Sequence, residues 1–456
     1  MKLAGLDIGT TTLCGLLLDS DGGDILSVVT ERNASALAGA APDEYLQDPD
    51  TIVAAVERIL GSFRASHGSI GGIGVAGQMH GILYVDGAGR AVSPLYTWQD
   101  GRGERTRADG KSHAGFLSDA LGQRLSTGMG FVTHYYNAAN KLVPEGARRV
   151  CTIADYVAMR LAHATAPVMD TTMAASLGCF DLRRLDFRRD AMRKLGVEES
   201  FFPSVSRSYQ ALGEHEPGTA VFPGLGDNQA SFLGAVSDVR HSVLFNIGTG
   251  SQISLFSEEC LEIPGIDTRP FPFGGYIGVG AALCGGRAYA LLHDFFEQTL
   301  KLFGGGAGAG GGTASWDIMN AAHVPGTERL VVDTRFNGTR VAPSIHGSIT
   351  GLGPGTFTPE HLIVGVREGI AAELLDFFAL FPTALRTAAN QMVGSGNGVR
   401  LNPALQVIFE GHIGMKMRIP AHREETSFGA ALLAGCAGKV FPDLRAAGQL
   451  VRYLSS

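Results

Sequence analysis

No block of basic residues occurs in the 456 residues, and acids outnumber bases, 44 Asp and Glu against 37 Lys and Arg, for a net charge of -7. A nucleic-acid backbone is therefore a poor candidate partner. Cysteine is sparse. The six, Cys14, Cys151, Cys179, Cys260, Cys284 and Cys436, are scattered and contain no Cys-x-x-Cys pair. That spacing argues against a zinc knuckle and a disulfide framework, and fits a reducing cytosol. No run approaches the ~18–20 apolar residues of a membrane span. The first apolar strand begins by Leu3, which leaves no room for a signal peptide. The expected protein is soluble and cytoplasmic, with no membrane partner. Charged residues are only 18% and apolar ones 45%, so large cores are expected and wholesale disorder is not. At ~100–200 residues per domain, the length favours two or three domains.

Glycine is what the chain has in abundance, at 63 residues, and it clusters. The run GGGAGAGGG at 304–312 cannot pack a core and reads as a mobile surface loop. Elsewhere glycine punctuates apolar strands. Residues 4–33 read as a hairpin followed by a third strand. DPDTIVAAVERILGSFRASHG at 48–68 has helical spacing, with Ile52, Val56, Ile59, Leu60 and Phe63 on one face. The β-β-β-α-β order predicts a mixed α/β sheet with helices against it.

LDIGTTTLCGLLLD at 6–19 is echoed by FNIGTGSQISLFSE at 245–258. Each puts an Ile-Gly-Thr-x-Thr/Ser turn between apolar strands: Gly9, Thr10, Thr11 and Thr12 in the first, Gly248, Thr249, Gly250 and Ser251 in the second. One such turn is an ordinary polar hairpin. Two, half a chain apart, predict two similar domains that each offer a turn to one cleft, with the boundary at 236/237. Glycine admits an anion close to the backbone, successive N–H groups make a positive concavity, and threonine hydroxyls add donors. Asp7 in the first copy is matched by Asn246 in the second. One acid suffices for Mg²⁺, which keeps several waters. No Gly-x-x-x-x-Gly-Lys-Ser/Thr occurs, and no helix follows the first turn, so neither a P-loop nor a Rossmann fingerprint is present.

Four further stretches carry candidate chemistry, and a fifth is expected to pack behind the last of them. GVAGQMHGILYVD at 74–86 places Gln78, Met79 and His80 in a loop between strands, and YTWQDGRGE at 96–104 gathers Trp98, Asp100 and Arg102. An aromatic face with amide, acid and base groups suits a polyol. FPGLGDNQASFLGAV at 222–236 puts Asp227 and Asn228 where a glycine-rich loop opens a helix. Asp227 is expected as the N-cap, with its charged form favoured there. Such a carboxylate can also take a hydroxyl proton during phosphoryl transfer. VGSGNGVRLNPALQ at 393–406 offers Gly394, Ser395, Gly396 and Asn397 before a helix-like stretch, where a flat base could lie on the backbone. REETSFGAALLAG at 423–435 reads as a small-residue helix packed behind that turn.

In this order the motifs resemble the FGGY carbohydrate kinases, and the resemblance spans nearly the whole chain. It implies the actin/hexokinase/Hsp70-like ATPase fold, with two ribonuclease H-like domains, a hinge, and ATP with Mg²⁺ in the cleft. By position, Asp7 would organise Mg²⁺, and the two threonine turns would hold phosphates. Gly394 to Asn397 would hold the adenosine. Asp227 would be the general base. Gln78, Met79, His80, Trp98, Asp100 and Asn228 would meet the sugar, and Arg102 would brace its loop. GVAGQMHG and TWQDGR are most similar to family members that act on sedoheptulose, next to those that act on xylulose. The implied reaction is phosphorylation of a primary hydroxyl of a small-molecule ketose. A homodimer is compatible with this reading. The alternative of another class is an actin-like ATPase module with no sugar dependence; a sugar-binding regulator without catalysis is disfavoured because Asp7 and Asp227 are both present.

Overall fold

The computed structural model describes residues 1–303, 313–339, 342 and 344–455. The glycine run at 304–312 lies outside the described residues. In the first half the strands are β1 (Lys2–Ile8), β2 (Thr12–Asp19), β3 (Ile25–Arg32), β4 (Gly72–Gly77), β5 (Gly213–Glu214), β6 (Ala220–Val221) and β7 (Leu225–Gly226). The helices that matter are α1 (Pro49–His67), α2 (Ile153–Leu161), α3 (Thr171–Ser176) and α4 (Asp227–Ala235). The strand order is β5-β6-β4-β1-β2-β3, with β7 also on β4. β1 pairs antiparallel with β2 and parallel with β4. The helical spacing at 52–63 is realised in α1. Asp48 caps it, Pro49 opens it, and Ile52, Val56, Ile59, Leu60 and Phe63 are all buried.

The second half holds β8 (Ser242–Ile247), β9 (Ser251–Ser257), β10 (Asp267–Pro270), β11 (Tyr276–Ala282), β12 (Gln391–Ser395) and β13 (Met417–Arg418) in the order β10-β11-β9-β8-β12-β13. Its helices include α5 (Gly286–Leu302), α6 (Pro359–Leu380), α7 (Asn397–Arg400), α8 (Pro403–Ile413) and α9 (Glu425–Ala437). β8 pairs antiparallel with β9 and parallel with β12, the same arrangement as β1 with β2 and β4. The repeat is thus a repeat of topology. Asp7 lies opposite Cys14 and Ala76, and Asn246 opposite Gln252 and Ser395. The turns differ by one residue. Gly9, Thr10, Thr11 and Thr12 separate the paired Ile8 and Leu13, whereas only Gly248, Thr249 and Gly250 separate Ile247 and Ser251.

α9 departs from expectation. It meets the helix after the 394–397 turn at its start, where Arg400 pairs with Glu425 at 3.2 Å, but lies chiefly on the first sheet and α4. A Cβ on Gly5 would lie 1.8 Å from the Ser427 carbonyl, one on Gly74 2.0 Å from that of Ala430, and one on Gly234 1.8 Å from that of Glu425. Backbone meets backbone there because the facing strands and α4 supply glycine. The result is a core drawn from both halves, with Ala76, Leu225, Phe232, Leu244, Val279, Val393, Ala430 and Leu433 in one cluster. Among the described residues no helix is long and apolar enough to cross a membrane.

Candidate active site

The first turn is tied back through its carbonyls. Asn33 donates its side-chain N–H to the Gly9 carbonyl (2.9 Å) and its backbone N–H to that of Thr11 (2.8 Å), and Gln47 donates to that of Thr10 (2.8 Å). The second turn is treated alike by the start of α5: the Gly286 and Arg287 N–H groups donate to the Gly248 and Thr249 carbonyls at 2.9 and 3.0 Å. With these carbonyls engaged from behind, N–H groups of each turn can face an anion, although in the second turn the Gly248 N–H is already donated to the Gly250 carbonyl at 3.0 Å. Thr11, Thr12, Gly248 and Thr249 are exposed. Ser251 is buried, where a Cβ on Gly285 would meet its side chain at 2.6 Å, so it opens β9 and does not line the turn.

Thr10 faces another way. Its hydroxyl donates to Gln78 Oε1 (3.2 Å) and accepts from the Trp98 indole N–H (2.9 Å), while Gln78 donates to Gln47 (2.9 Å). Trp98 remains 46% exposed, so this network holds an aromatic face open to solvent beside the first turn. Met79 is buried against Gly226, where a Cβ would meet its sulfur at 2.9 Å. That contact brings the Gln-Met-His loop next to Asp227. His80 has φ +75, an uncommon conformation outside glycine. Ser176 secures it, with the His80 N–H on Ser176 Oγ (3.1 Å) and Nδ1 on the Ser176 carbonyl (2.7 Å). A carbonyl only accepts, so Nδ1 carries the proton.

Two expectations are corrected. Asp100 is fully buried, with Arg102 Nε at 2.5 Å from Oδ1 and the Tyr45 N–H at 3.2 Å from Oδ2. Arg102 continues to Asn137 (2.9 Å) and lies over the Tyr96 ring. This pair braces the loop beneath Trp98, and Asp100 presents no surface to a sugar. Asp227 is not an N-cap: Gly226 occupies that position, and Asp227 is the first residue of α4. Nor does the helix start decide its charge. Burial raises the Asp227 carboxyl to about 6, against the lowering effects of Arg269 and the Asn228 N–H. The desolvation of the half-buried carboxylate outweighs both.

Asp7 is raised further, to about 8, by burial and then by the negative charges of Asp227 and Glu424. The two carboxylates singled out from sequence are therefore neighbours. Glu424, just before α9, and Arg269, on β10, join them from the second half. Arg269 belongs to no motif, Glu424 carries no signal of its own within the 423–435 stretch, and only long-range packing places them. Asn228 also reaches across, donating to Gln252 Oε1 at 2.8 Å. Among the described residues no three acidic, His or Cys side chains gather closely enough to hold a metal ion; a cation here would lean on one carboxylate and its own waters, as Mg²⁺ does.

At 394–397 the placement is split. Gly394 and Ser395 are buried in β12, Gly394 against the Met417 sulfur, while Gly396 (φ +81) caps α7 and Asn397 is exposed. A Cβ on Gly396 would lie 2.5 Å from the Ile247 carbonyl and 3.1 Å from Asn246 Oδ1. That close approach seats the turn against the end of β8.

Two sheets of like topology, each ending a hairpin turn between the halves, define the two-domain actin/hexokinase-like fold. The N-terminal domain model of the FGGY family of carbohydrate kinases matches residues 3–245, and the C-terminal domain model residues 243–438. The chain belongs to this family and is an ATP-dependent sugar kinase. It is 27% identical over 442 residues to a sedoheptulokinase of Mus musculus, covering 88% of this chain and 90% of that one. It is 22% identical over 474 residues to a xylulose kinase of Lactococcus lactis, covering 97% and 89%. The solved xylulose kinase of Rhodospirillum rubrum shares the fold with a TM-score of 0.85 at 22% identity, covering 100% and 93%.

Proposed function

We propose that the chain phosphorylates a primary hydroxyl of a ketose, with sedoheptulose as acceptor and sedoheptulose 7-phosphate as product. The observation that carries this is the Trp98–Thr10–Gln78 network, which holds an aromatic face and amide groups in the loops that lead to Asp227. Similarity to the mouse sedoheptulokinase supports the seven-carbon acceptor, and similarity to the xylulose kinase makes D-xylulose the second reading. Compared kcat/KM values for sedoheptulose, D-xylulose, glycerol and gluconate decide between them. Sedoheptulose should lead by about tenfold or more, the usual worth of a pocket fitted to its substrate. A lead for D-xylulose would replace it as the acceptor.

In this reading ATP supplies the transferable phosphoryl group, and Mg²⁺ supplies the charge that offsets it. Asp7 holds the cation. The turns at 9–12 and 248–250 hold phosphate oxygens through N–H and hydroxyl groups, and Gly396 and Asn397 meet the adenosine. Trp98, His80 and Asn228 orient the sugar, with the buried Gln78 and Met79 supporting them from behind. Asp227 accepts the proton of the attacking hydroxyl, so it must be ionised. The rate should rise as pH passes upward through about 6. Arg269→Met removes the charge that lowers Asp227, so this limb should move to higher pH. A pH profile of kcat/KM that coincides with wild type would remove Arg269 from the site.

His80→Ala should raise the sugar KM about tenfold, the scale of one or two polar contacts, while ATP hydrolysis without transfer persists. An unchanged sugar KM would place His80 outside the pocket. The halves are proposed to divide at 236/237. All six cysteines are free, four of them buried, which suits a reducing cytoplasm.

A further inference from the structure

Gly226 is the N-cap of α4 and has no side chain with which to fix the helix entry. On one side β7 pairs with β4, Gly226 opposite Gly77. Its own N–H donates to Thr172 Oγ1 at 2.9 Å. The Thr172 hydroxyl in turn donates to Asp170 Oδ1 at 2.6 Å. A hydroxyl donates once, so the bond to Asp170 turns its lone pairs toward Gly226. Asp170 is itself fully engaged. Oδ2 accepts from the Tyr209 hydroxyl (2.5 Å) and the Thr172 N–H (3.1 Å), and Oδ1 also accepts from the Met173 N–H (3.1 Å). Thr172 is 0% exposed, Asp170 2% and Tyr209 7%. Thr172 and Asp170 lie inside, and Tyr209 closes the network at the edge of a cavity of about 230 Å³. Tyr209 also packs against Phe273 of the second half, ring centroids 4.9 Å apart.

We infer that Thr172, oriented by Asp170 and Tyr209, is a positioning residue for phosphoryl transfer: it sets the Gly226 backbone and hence where Asp227 points. The inference rests on Asp227 being the base. A Cβ at Gly226 would meet Gln229 Oε1 at 2.5 Å and the Met79 sulfur at 2.9 Å, so no side chain at this position can take over the task. Without the Thr172 bond a buried N–H is left unpaired and the first turn of α4 must shift to satisfy it. A displacement of about 1 Å at a reacting group costs about a hundredfold in rate.

The test uses Thr172→Val, which keeps the shape and removes the hydroxyl, beside Thr172→Ser, which keeps the hydroxyl, with Asp227→Asn measured in parallel. Thr172→Val should lower kcat by about 30–100-fold, with the KM values for ATP and sugar within about twofold of wild type. Thr172→Ser should restore most of kcat. A kcat near wild type in Thr172→Val overturns the inference, as does a loss of kcat that the serine variant shares. Should Thr172→Val fail to fold, Tyr209→Phe decides, because it removes one hydroxyl at the rim of the network. Its kcat should fall about fivefold at unchanged KM, the scale of one hydrogen bond; an unaltered kcat overturns the inference. If Asp227→Asn turns over like wild type, the base assignment fails. If Asp227→Asn is inactive and Thr172→Val is not impaired, only the positioning role fails.

Discussion

Asp227→Asn should lower kcat about a thousandfold, within the range assigned to a positioned general base. Asparagine has the size of aspartate and can stand first in α4 as aspartate does, but it cannot take a proton. The bonds that fix this segment, Gly226 to Thr172 and Asn228 to Gln252, do not involve the Asp227 side chain. Affinity for ATP and sugar should therefore stay within a few-fold of wild type. Loss of the acid also relieves Asp7, which the Asp227 charge helps to raise. Binding of the metal–nucleotide should not weaken. Single-turnover kinetics with equilibrium binding separates the two effects. Full turnover in the asparagine variant would remove Asp227 as the base; weakened binding with normal turnover would make it a ligand.

Gly234→Ala should destabilise the protein by about 3 kcal/mol, the upper part of the range for overpacking a close-packed core. The sign is the informative part. In an ordinary helix interior alanine improves on glycine by about 0.5–1 kcal/mol. Here the added Cβ would lie 1.8 Å from the Glu425 carbonyl oxygen and 2.8 Å from the Gly429 N, both backbone atoms. Neither can swing away as a side chain could. α4 and α9 must part, and with them the core shared by the halves. Thermal unfolding should fall by about 5–10 °C on the scale of a domain this large. A melting temperature at or above wild type would mean that α9 does not pack on α4 as described.

The parts of the molecule that could be read from sequence are those built by local pattern. The apolar stripe of α1 and the glycine-threonine turns each signal their structure within a dozen residues. The duplication showed because a tight hairpin leaves little choice of residue at its bend. What stayed hidden depends on partners far away in the chain. α9 is small or apolar on every side, so no stripe marks its buried face. The glycines that receive it, Gly5, Gly74 and Gly234, belong to other segments. Asp100 and Asp227 look alike in sequence, each a carboxylate beside glycine in a loop. One is closed off by Arg102, Tyr45 and the packing around them, and the other is left between the halves. Arg269 sits in no motif, nothing in the 423–435 stretch marks Glu424 as facing Asp7, and the Thr172 hydroxyl counts only because β7 passes over it.

The central claim is that transfer depends on a sugar held beside Asp227. It is tested most directly by measuring ADP release and sugar phosphate together, with and without a panel of ketoses. ADP should form rapidly only when an accepted ketose is present, with one sugar phosphate for each ADP and the new phosphate on a primary hydroxyl. ADP release at the same rate with no sugar, and no phosphorylated sugar from any of them, would contradict it.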